Sequence, residues 1–214
     1  IDMIMNGYNM FIKENRVDRQ NLQVLFEITL SNLKSDTGDV DEKDFIDRAD
    51  ILCSLGQTVL ISNYQEYYKL VEYFSRFTKA RMGLIMGVTN LVEVFDEKYY
   101  RQLNGGVLEA FGILFHRDLK IYVYPSRPNA TAEIMTTANM PIHPRMRPLY
   151  DYLLFNKRIV DITSFDPNVL HIFSKQVLDM IRGAQPGWES MVPPYVDNMI
   201  KDNRLFGYRP VQES

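Results

Sequence analysis

Cysteine is nearly missing from the 214 residues, with Cys53 standing alone. A lone thiol excludes an internal disulfide and fits a reducing compartment, so a cytoplasmic location is expected. Cys53 follows Leu52 on the apolar face of a helical pattern, which predicts a buried structural thiol rather than a nucleophile. Long apolar runs are lacking too: none approaches the roughly 20 residues of a membrane span. No secretory signal is visible. Neither sign of charge dominates, since 24 Lys and Arg face 27 Asp and Glu for a net charge of −3. That balance gives no electrostatic case for nucleic acid or a membrane surface. His116, His143 and His171 lack ligand spacing, so no metal site is expected. Walker A, G-x-G-x-x-G, H-E-x-x-H, C-x-x-C and G-x-S-x-G patterns are all absent.

What is present reads as an α/β protein. The apolar fraction of 46% and charged fraction of 24% are those of a globular chain. A chain of this length can bury one sizeable core, and residues 1–214 are read as a single domain. Four short runs read as buried strands: 25–30, 58–62, 83–87 and 121–125. Most are continuously apolar, as expected of strands covered on both faces. Helical patterns lie between them. Asp41 to Leu55 carries Phe45, Ile46, Ala49, Leu52 and Cys53 on one face. Asn63 and Glu66 form a capping-box pattern before Tyr67, Leu70, Val71 and Phe74. A third helix starts near Thr89 or Asn90 and breaks at Asn104-Gly105-Gly106. This alternation predicts βαβ units and a doubly wound, mostly parallel sheet with a helical C-terminal part.

The chain opens at Ile1 directly on a helical pattern, with Ile1, Ile4, Met5, Tyr8, Phe11 and Ile12 on one face. The expectation is that a further N-terminal part of the same protein precedes it. Residues 126–144, rich in Pro, Thr, Asn and Ser, read as a long connection. With the helix predicted at 145–156, they make 126–166 a candidate insertion or lid. Two more helices are predicted at 174–182 and 194–202. The carboxylates Asp39, Asp41, Glu42 and Asp44 crowd a helix start, where they suit capping and the helix dipole better than acid–base work or a calcium loop.

Two segments could carry chemistry. In Leu84-Ile85-Met86-Gly87-Val88-Thr89-Asn90-Leu91, a buried strand ends in Gly and a polar pair opens a helix. This directs backbone N–H groups to the carboxyl end of a parallel sheet, where open α/β folds bind ligands and a helix start suits an anion. An ordinary tight strand-to-helix turn accounts for the same residues. In His171-Ile172-Phe173-Ser174-Lys175-Gln176-Val177, Ser174 is a natural N-cap and Lys175 adds a positive charge, so a phosphate seat and a plain capped surface helix are both open readings.

Taken in order, these segments resemble the bacterial nicotinate-nucleotide adenylyltransferases of the nucleotidyltransferase α/β superfamily. That family has a strand ending F-I-M-G-A-D-S-L and then a W-K-x-W helix, to which Leu84–Leu91, Lys98 and Tyr100 are similar. Its next strand ends V-V-V-P-R-P, similar to Tyr122-Val123-Tyr124-Pro125-Ser126-Arg127-Pro128. Its I-S-S-T-x-x-R, Ile-Arg, Gly and V-P-x-x-V segments resemble Ile172–Lys175, Ile181-Arg182-Gly183 and Val192–Val196. The resemblance implies a Rossmann-like, bacterial enzyme of NAD biosynthesis. It would join ATP and nicotinate mononucleotide with release of pyrophosphate, using Mg2+. It implies a nucleotide site at Gly87, Thr89, Asn90, Arg127, Ser174, Lys175 and Arg182, and it names no catalytic residue in this chain. The departures are specific. Thr89 stands where the family has Asp, Glu97 where it has Trp, and Leu178 where it has Arg, while the G-x-F-x-P and H-x-G-H segments have no counterpart after Ile1. A relative that keeps the fold as a non-catalytic nucleotide-sensing or protein-interaction module is therefore the alternative expectation.

Overall fold

A computed structural model describes residues 1–29, 42–129 and 131–210. The chain forms two compact units, Ile1–Leu22 with Glu66–His171, and Gln23–Gln65 with Ile172–Ser214. All four predicted strands are present and, among the described residues, all pairing between strands is parallel, but the strands are divided between two small sheets. The expected single sheet assumed that each apolar run is covered on both faces. In Val59–Ser62 that fails, since Ile61 is 51% exposed.

The first unit is built on β3 (Gly83–Gly87), β4 (Lys120–Tyr124) and β5 (Ile159–Asp161), in the order β3-β4-β5. The strand period of two sends alternate residues to opposite faces. Met86, Ile121, Val123 and Ile159 join a core with side chains of α3 (Tyr67–Ser75), α4 (Val88–Val94), α5 (Gly106–Leu114) and α6 (Arg147–Phe155). Ile85, Tyr122, Tyr124 and Val160 pack on the other face with Met10 and Phe11 of α1 (Asp2–Phe11). Helices thus cover both faces, while the strand order runs without reversal. Part of the stretch expected as a lid, 126–166, supplies α6 and β5, and Ile159 of β5 is buried.

Two glycines let α1 come close to the sheet. A Cβ on Gly7 would lie 2.6 Å from Ile85 Cδ1, and one on Gly83 would lie 2.8 Å from the Phe11 ring. The buried side of α1 is therefore Gly7 and Phe11, while Ile1 and Met5 of the predicted apolar face are exposed. Phe11 meets Tyr122 edge-on with ring centroids 6.0 Å apart. The Tyr122 hydroxyl donates to Glu14 at 3.1 Å, and the same carboxylate pairs with Lys120 and, at 3.4 Å, with Arg81.

The break at Asn104-Gly105-Gly106 is real, but a helix restarts there. Gly106 holds φ +56, Gly105 is the N-cap of α5, and the Glu109 carboxylate accepts from the Gly105 N–H at 2.8 Å. Closing that orphan donor from the helix side is what makes the pair a start. The capping box at Asn63 and Glu66 does not form: Glu66 is itself the N-cap of α3 and pairs with Lys69 at 2.7 Å.

In the second unit, β1 (Phe26–Thr29) pairs with β2 (Val59–Ser62) through the crossover helix α2 (Glu42–Ser54). Here a prediction is reversed: Cys53 is exposed. The buried positions of α2 are Asp44, Asp47 and Ile51, at i, i+3 and i+7. Asp47 accepts the Phe206 N–H at 2.6 Å, and Asp44 pairs with Arg48 at 2.7 Å and Arg182 at 3.5 Å. Carboxylates that accept such bonds can be buried, and they turn the apolar stripe partly outward. Asp39 and Asp41 lie outside the described residues. Ile51 packs with Val177 and Ile181 of α7 (Ser174–Arg182), Val196 and Ile200 of α8 (Val196–Asn203), Trp188 and Leu205.

Two predictions come from this packing. Gly83→Val forces a branched side chain between the Phe11 and Tyr122 rings. Denaturant unfolding should show a loss of about 1–3 kcal/mol, and no loss would mean α1 does not rest on β3. The second concerns Glu14. Burial works to raise its pKa, but hydrogen bonds from Lys120 and Tyr122 and the charges of Lys120 and Arg81 outweigh it, so the value falls below 4.5. A lowered folded-state value adds stability above the unfolded value, and that stability is lost as pH falls through the folded one. Melting temperature should thus fall on acidification from about pH 5 to about pH 3, and less steeply in Glu14→Gln.

Candidate functional site

The carboxyl edge of β3-β4-β5 is the place to look, because parallel strands there release their chains side by side. Gly87 lies opposite Tyr124 in the parallel register, and Val123 opposite Asp161. Neighbouring strands lie about 4.8 Å apart, so three consecutive exits fall within roughly 10 Å.

From β3 the chain enters α4 with no intervening loop. Gly87 is the N-cap, with φ −77, ψ 163 and no side-chain cap bond. Its backbone would suit any residue, so glycine is not needed for conformation. Its effect is space: an added Cβ would meet only Asn90 Oδ1 at 3.9 Å and Thr89 Oγ1 at 4.0 Å. Thr89 and Asn90 are both exposed beside that opening, and Asn90 Nδ2 donates to the Tyr67 hydroxyl at 3.4 Å. From β4 the chain passes through Pro125 and Ser126 to Arg127. Ser126 and Met135 exchange two backbone bonds at 3.1 and 2.8 Å, and the Arg127 N–H donates to the Leu170 carbonyl at 2.9 Å. The backbone that carries Arg127 is therefore pinned on both sides.

From β5 comes a polar group the sequence reading missed. Both Asp161 oxygens are engaged by one residue, accepting the Thr137 N–H at 2.9 Å and its hydroxyl at 2.7 Å. Thr137 is buried, and its carbonyl takes the Tyr150 hydroxyl at 2.6 Å. Burial, opposed by the bond to Thr137 and aided by the Asp161 charge, pushes the Tyr150 phenol up to about 12. Nearby, the Tyr124 hydroxyl donates to Asp2, which also accepts the Asp166 N–H at 3.1 Å. Burial first, then the Asp2 carboxylate, pushes Tyr124 upward. The signal for Asp161 was present in Ile159-Val160-Asp161-Ile162, where one acid ends a short apolar run after a helix.

The remaining expected site residues belong to the second unit. Helix α7 begins at Ser174 with Phe173 as its N-cap and no side-chain cap bond, so Ser174 is a first-turn residue rather than the cap expected. Ser174 and Lys175 are exposed. Arg182 ends the same helix, roughly 12 Å further along its axis, and its guanidinium pairs with Asp44. Gly87, Thr89, Asn90 and Arg127 therefore gather on one edge of the first unit, and Ser174 with Lys175 at one helix start of the second.

The edge donors are the Thr89 hydroxyl, the Asn90 amide and backbone N–H groups, with the backbone of Arg127 leaving β4 beside them. Each oxygen of the Asp161 carboxylate accepts one bond from Thr137. Such a set suits holding an anion better than moving a proton. Among the described residues no three His, Cys, Asp or Glu side chains gather to hold a metal. Magnesium commonly arrives on substrate phosphates, which needs no all-protein cage. No helix among the described residues is long and apolar enough to cross a membrane. The chain matches no family model, no curated protein and no solved structure.

Thr137→Val keeps the shape of the side chain and removes the hydroxyl that caps Asp161. Stability should fall by about 1–3 kcal/mol in denaturant unfolding, with Thr137→Ser recovering most of it. A neutral Thr137→Val would show that Asp161 finds its partner in water.

Proposed function

We propose that this chain is a nucleotide-binding domain of the nucleotidyltransferase type, with a Rossmann-like ancestry and a kinship to nicotinate-nucleotide adenylyltransferase. ATP and nicotinate mononucleotide are the nucleotides to be expected, magnesium would enter with the triphosphate, and the setting would be NAD biosynthesis in a bacterial cytoplasm. The supporting observation is the register of Gly87 against Tyr124. It brings the two motif ends that carry the resemblance, Gly87–Asn90 and Ser126–Pro128, out of adjacent parallel strands. The side-chain-free space over Gly87, flanked by the Thr89 and Asn90 oxygens, would let a phosphate reach the backbone. Because α4 has seven residues, the seat relies on contact donors rather than on a large helix dipole.

A second reading, a non-catalytic sensing or interaction module of the same fold, is favoured by the state of the C-terminal cations. Arg182 is engaged by Asp44, and Leu178 stands at the position of the family's phosphate-binding Arg. Binding without turnover distinguishes the two. Calorimetric titration with ATP and with nicotinate mononucleotide should show binding that Gly87→Ala weakens by tenfold or more while melting temperature holds, since the backbone at Gly87 tolerates a Cβ. Arg127→Ala should weaken ATP by about 1–3 kcal/mol if its contact is charge-assisted. Pyrophosphate release at around 1–10 per second would favour the enzyme, and tight binding with no release the module. No binding of either nucleotide would remove the proposal.

A further inference from the structure

The opposite edge of the same sheet carries a different chemistry. A groove of about 620 Å3 lies between α5 and α6 and reaches the amino ends of the strands. Its walls are two helical stripes. Leu108, Phe111 and Phe115, with Gly112, line it from α5 and the turn after it, and Leu149, Tyr152 and Leu153 from α6. Leu108, Phe111 and Phe115 at i, i+3 and i+7 make a stripe of about 10 Å, and Leu149, Tyr152 and Leu153 at i, i+3 and i+4 one of about 6 Å. Phe111 and Leu153 are buried and form the floor, while Leu108 is 70% and Tyr152 63% exposed at the rim. No side chain fills the space beside Gly112, where an added Cβ would meet nothing within 4 Å.

One end of this trough is cationic. Arg81 precedes β3, Lys120 opens β4, and Lys157 and Arg158 precede β5, and all four line the groove. Asp118 is the single acid in the lining. In a chain of net charge −3 this is a local excess of positive charge. Glu14 and Asp118 offset part of it without using up the donors. Arg158 commits Nη1 to Asp118 at 3.2 Å and to the Leu119 carbonyl at 3.4 Å, leaving Nε and Nη2. Lys120 uses one of three donors on Glu14. Lys157 is exposed and makes no ion pair among the described residues. Cations after helix ends often serve the helix dipole, and Lys157 does sit just beyond α6. That role does not call for an open apolar trough leading to them.

We infer that this groove binds a small amphipathic anion, with a phosphate or carboxylate head at Lys120, Lys157 and Arg158 and an apolar body between α5 and α6. The volume is that of an ordinary small-molecule pocket. Arg81, Asp118, Lys120, Asn156, Lys157 and Arg158 give the lining a large polar share beside its apolar walls, which suits a ligand with both a charged head and an apolar body. A charged head on charged donors gains more than a neutral one, and the body adds about 25 cal/mol for each Å2 of apolar surface removed from water. Head and body should therefore both be required. This site is separate from the nucleotide edge at Gly87 and does not depend on that reading.

The test uses the whole chain and octyl phosphate followed by calorimetry, with inorganic phosphate and octanol as head-only and tail-only arms. Octyl phosphate should bind at least tenfold more tightly than either part, and raised salt should weaken it. Gly112→Leu fills the trough from a helix position that has room for it, and Lys157→Gln removes a charge that makes no ion pair among the described residues. Both should keep the wild-type melting temperature while weakening octyl phosphate by tenfold or more. Equal binding of octyl phosphate and octanol, or full binding by a folded Gly112→Leu, overturns the proposal. So does failure of all three probes where an acidic amphipathic peptide binds, since the groove would then be a protein-docking surface.

Discussion

A strand buried on both faces has nowhere to send its polar atoms except to partners, and β4 is in that position throughout its middle. Ile121, Tyr122 and Val123 are each 0% exposed. Two are aliphatic and need only packing, but Tyr122 brings a hydroxyl into the interior, where burial and then Glu14 push its pKa upward. An unpaired hydroxyl there would cost several kcal/mol. Glu14 removes that cost, and in doing so ties the segment after α1 to the start of β4 and to Arg81 ahead of β3. The close approach at Gly7 and Gly83 follows from the same demand, because α1 must lie near enough for Glu14 to reach. The layering of α1 on the sheet and the amino ends of β3 and β4 therefore depend on satisfying one buried phenol.

The same solution recurs with other carboxylates. Asp161 closes on Thr137, Asp2 gathers Tyr124 and the Asp166 N–H, and Asp47 takes the Phe206 N–H. In β1, Glu27 accepts from Thr29 at 2.5 Å and from Ser62 at 2.6 Å, joining the ends of the two strands. These acids act as internal acceptors that hold loop backbone and hydroxyls where no strand continues.

Much of this architecture was legible. The runs at 83–87 and 121–125 became β3 and β4 almost residue for residue, and 174–182 became α7, because local apolar patterning and tertiary demand agreed there. Where they disagreed, tertiary demand prevailed. Helix α2 has its apolar stripe on one side and its buried acids on another, and no periodicity rule anticipates that Asp47 will accept from Phe206, 159 positions away. Cys53 is exposed for that reason. The three-residue strand β5 is too short for a periodic signal, and with it went Asp161 and half of the edge chemistry. Gly105-Gly106 signals a break honestly, yet only the returning Glu109 carboxylate makes it a helix start. Of the site, Gly87 through Asn90 and Arg127 could be brought to one edge from strand order alone. Their polar neighbours could not, since Thr137 lies in an irregular segment.

The two edges of the first sheet also differ in how they can attract an anion. A five-residue strand such as β4 spans roughly 16 Å, about twice the screening length of roughly 8 Å at physiological salt. The cations before β3, β4 and β5 therefore contribute little field at Gly87, and Glu14 and Asp118 reduce it further. An anion at the carboxyl edge must be held by groups that touch it. Neutral donors such as the Thr89 hydroxyl and the Asn90 amide add about 0.5–1.5 kcal/mol each, and a guanidinium contact about 1.5–3. Millimolar affinity already needs roughly 4 kcal/mol, so two neutral contacts do not suffice and a charged contact would be required on that edge. At the amino edge the order of effects is reversed. Long-range attraction is available before contact, and the apolar trough between α5 and α6 then decides which anions stay.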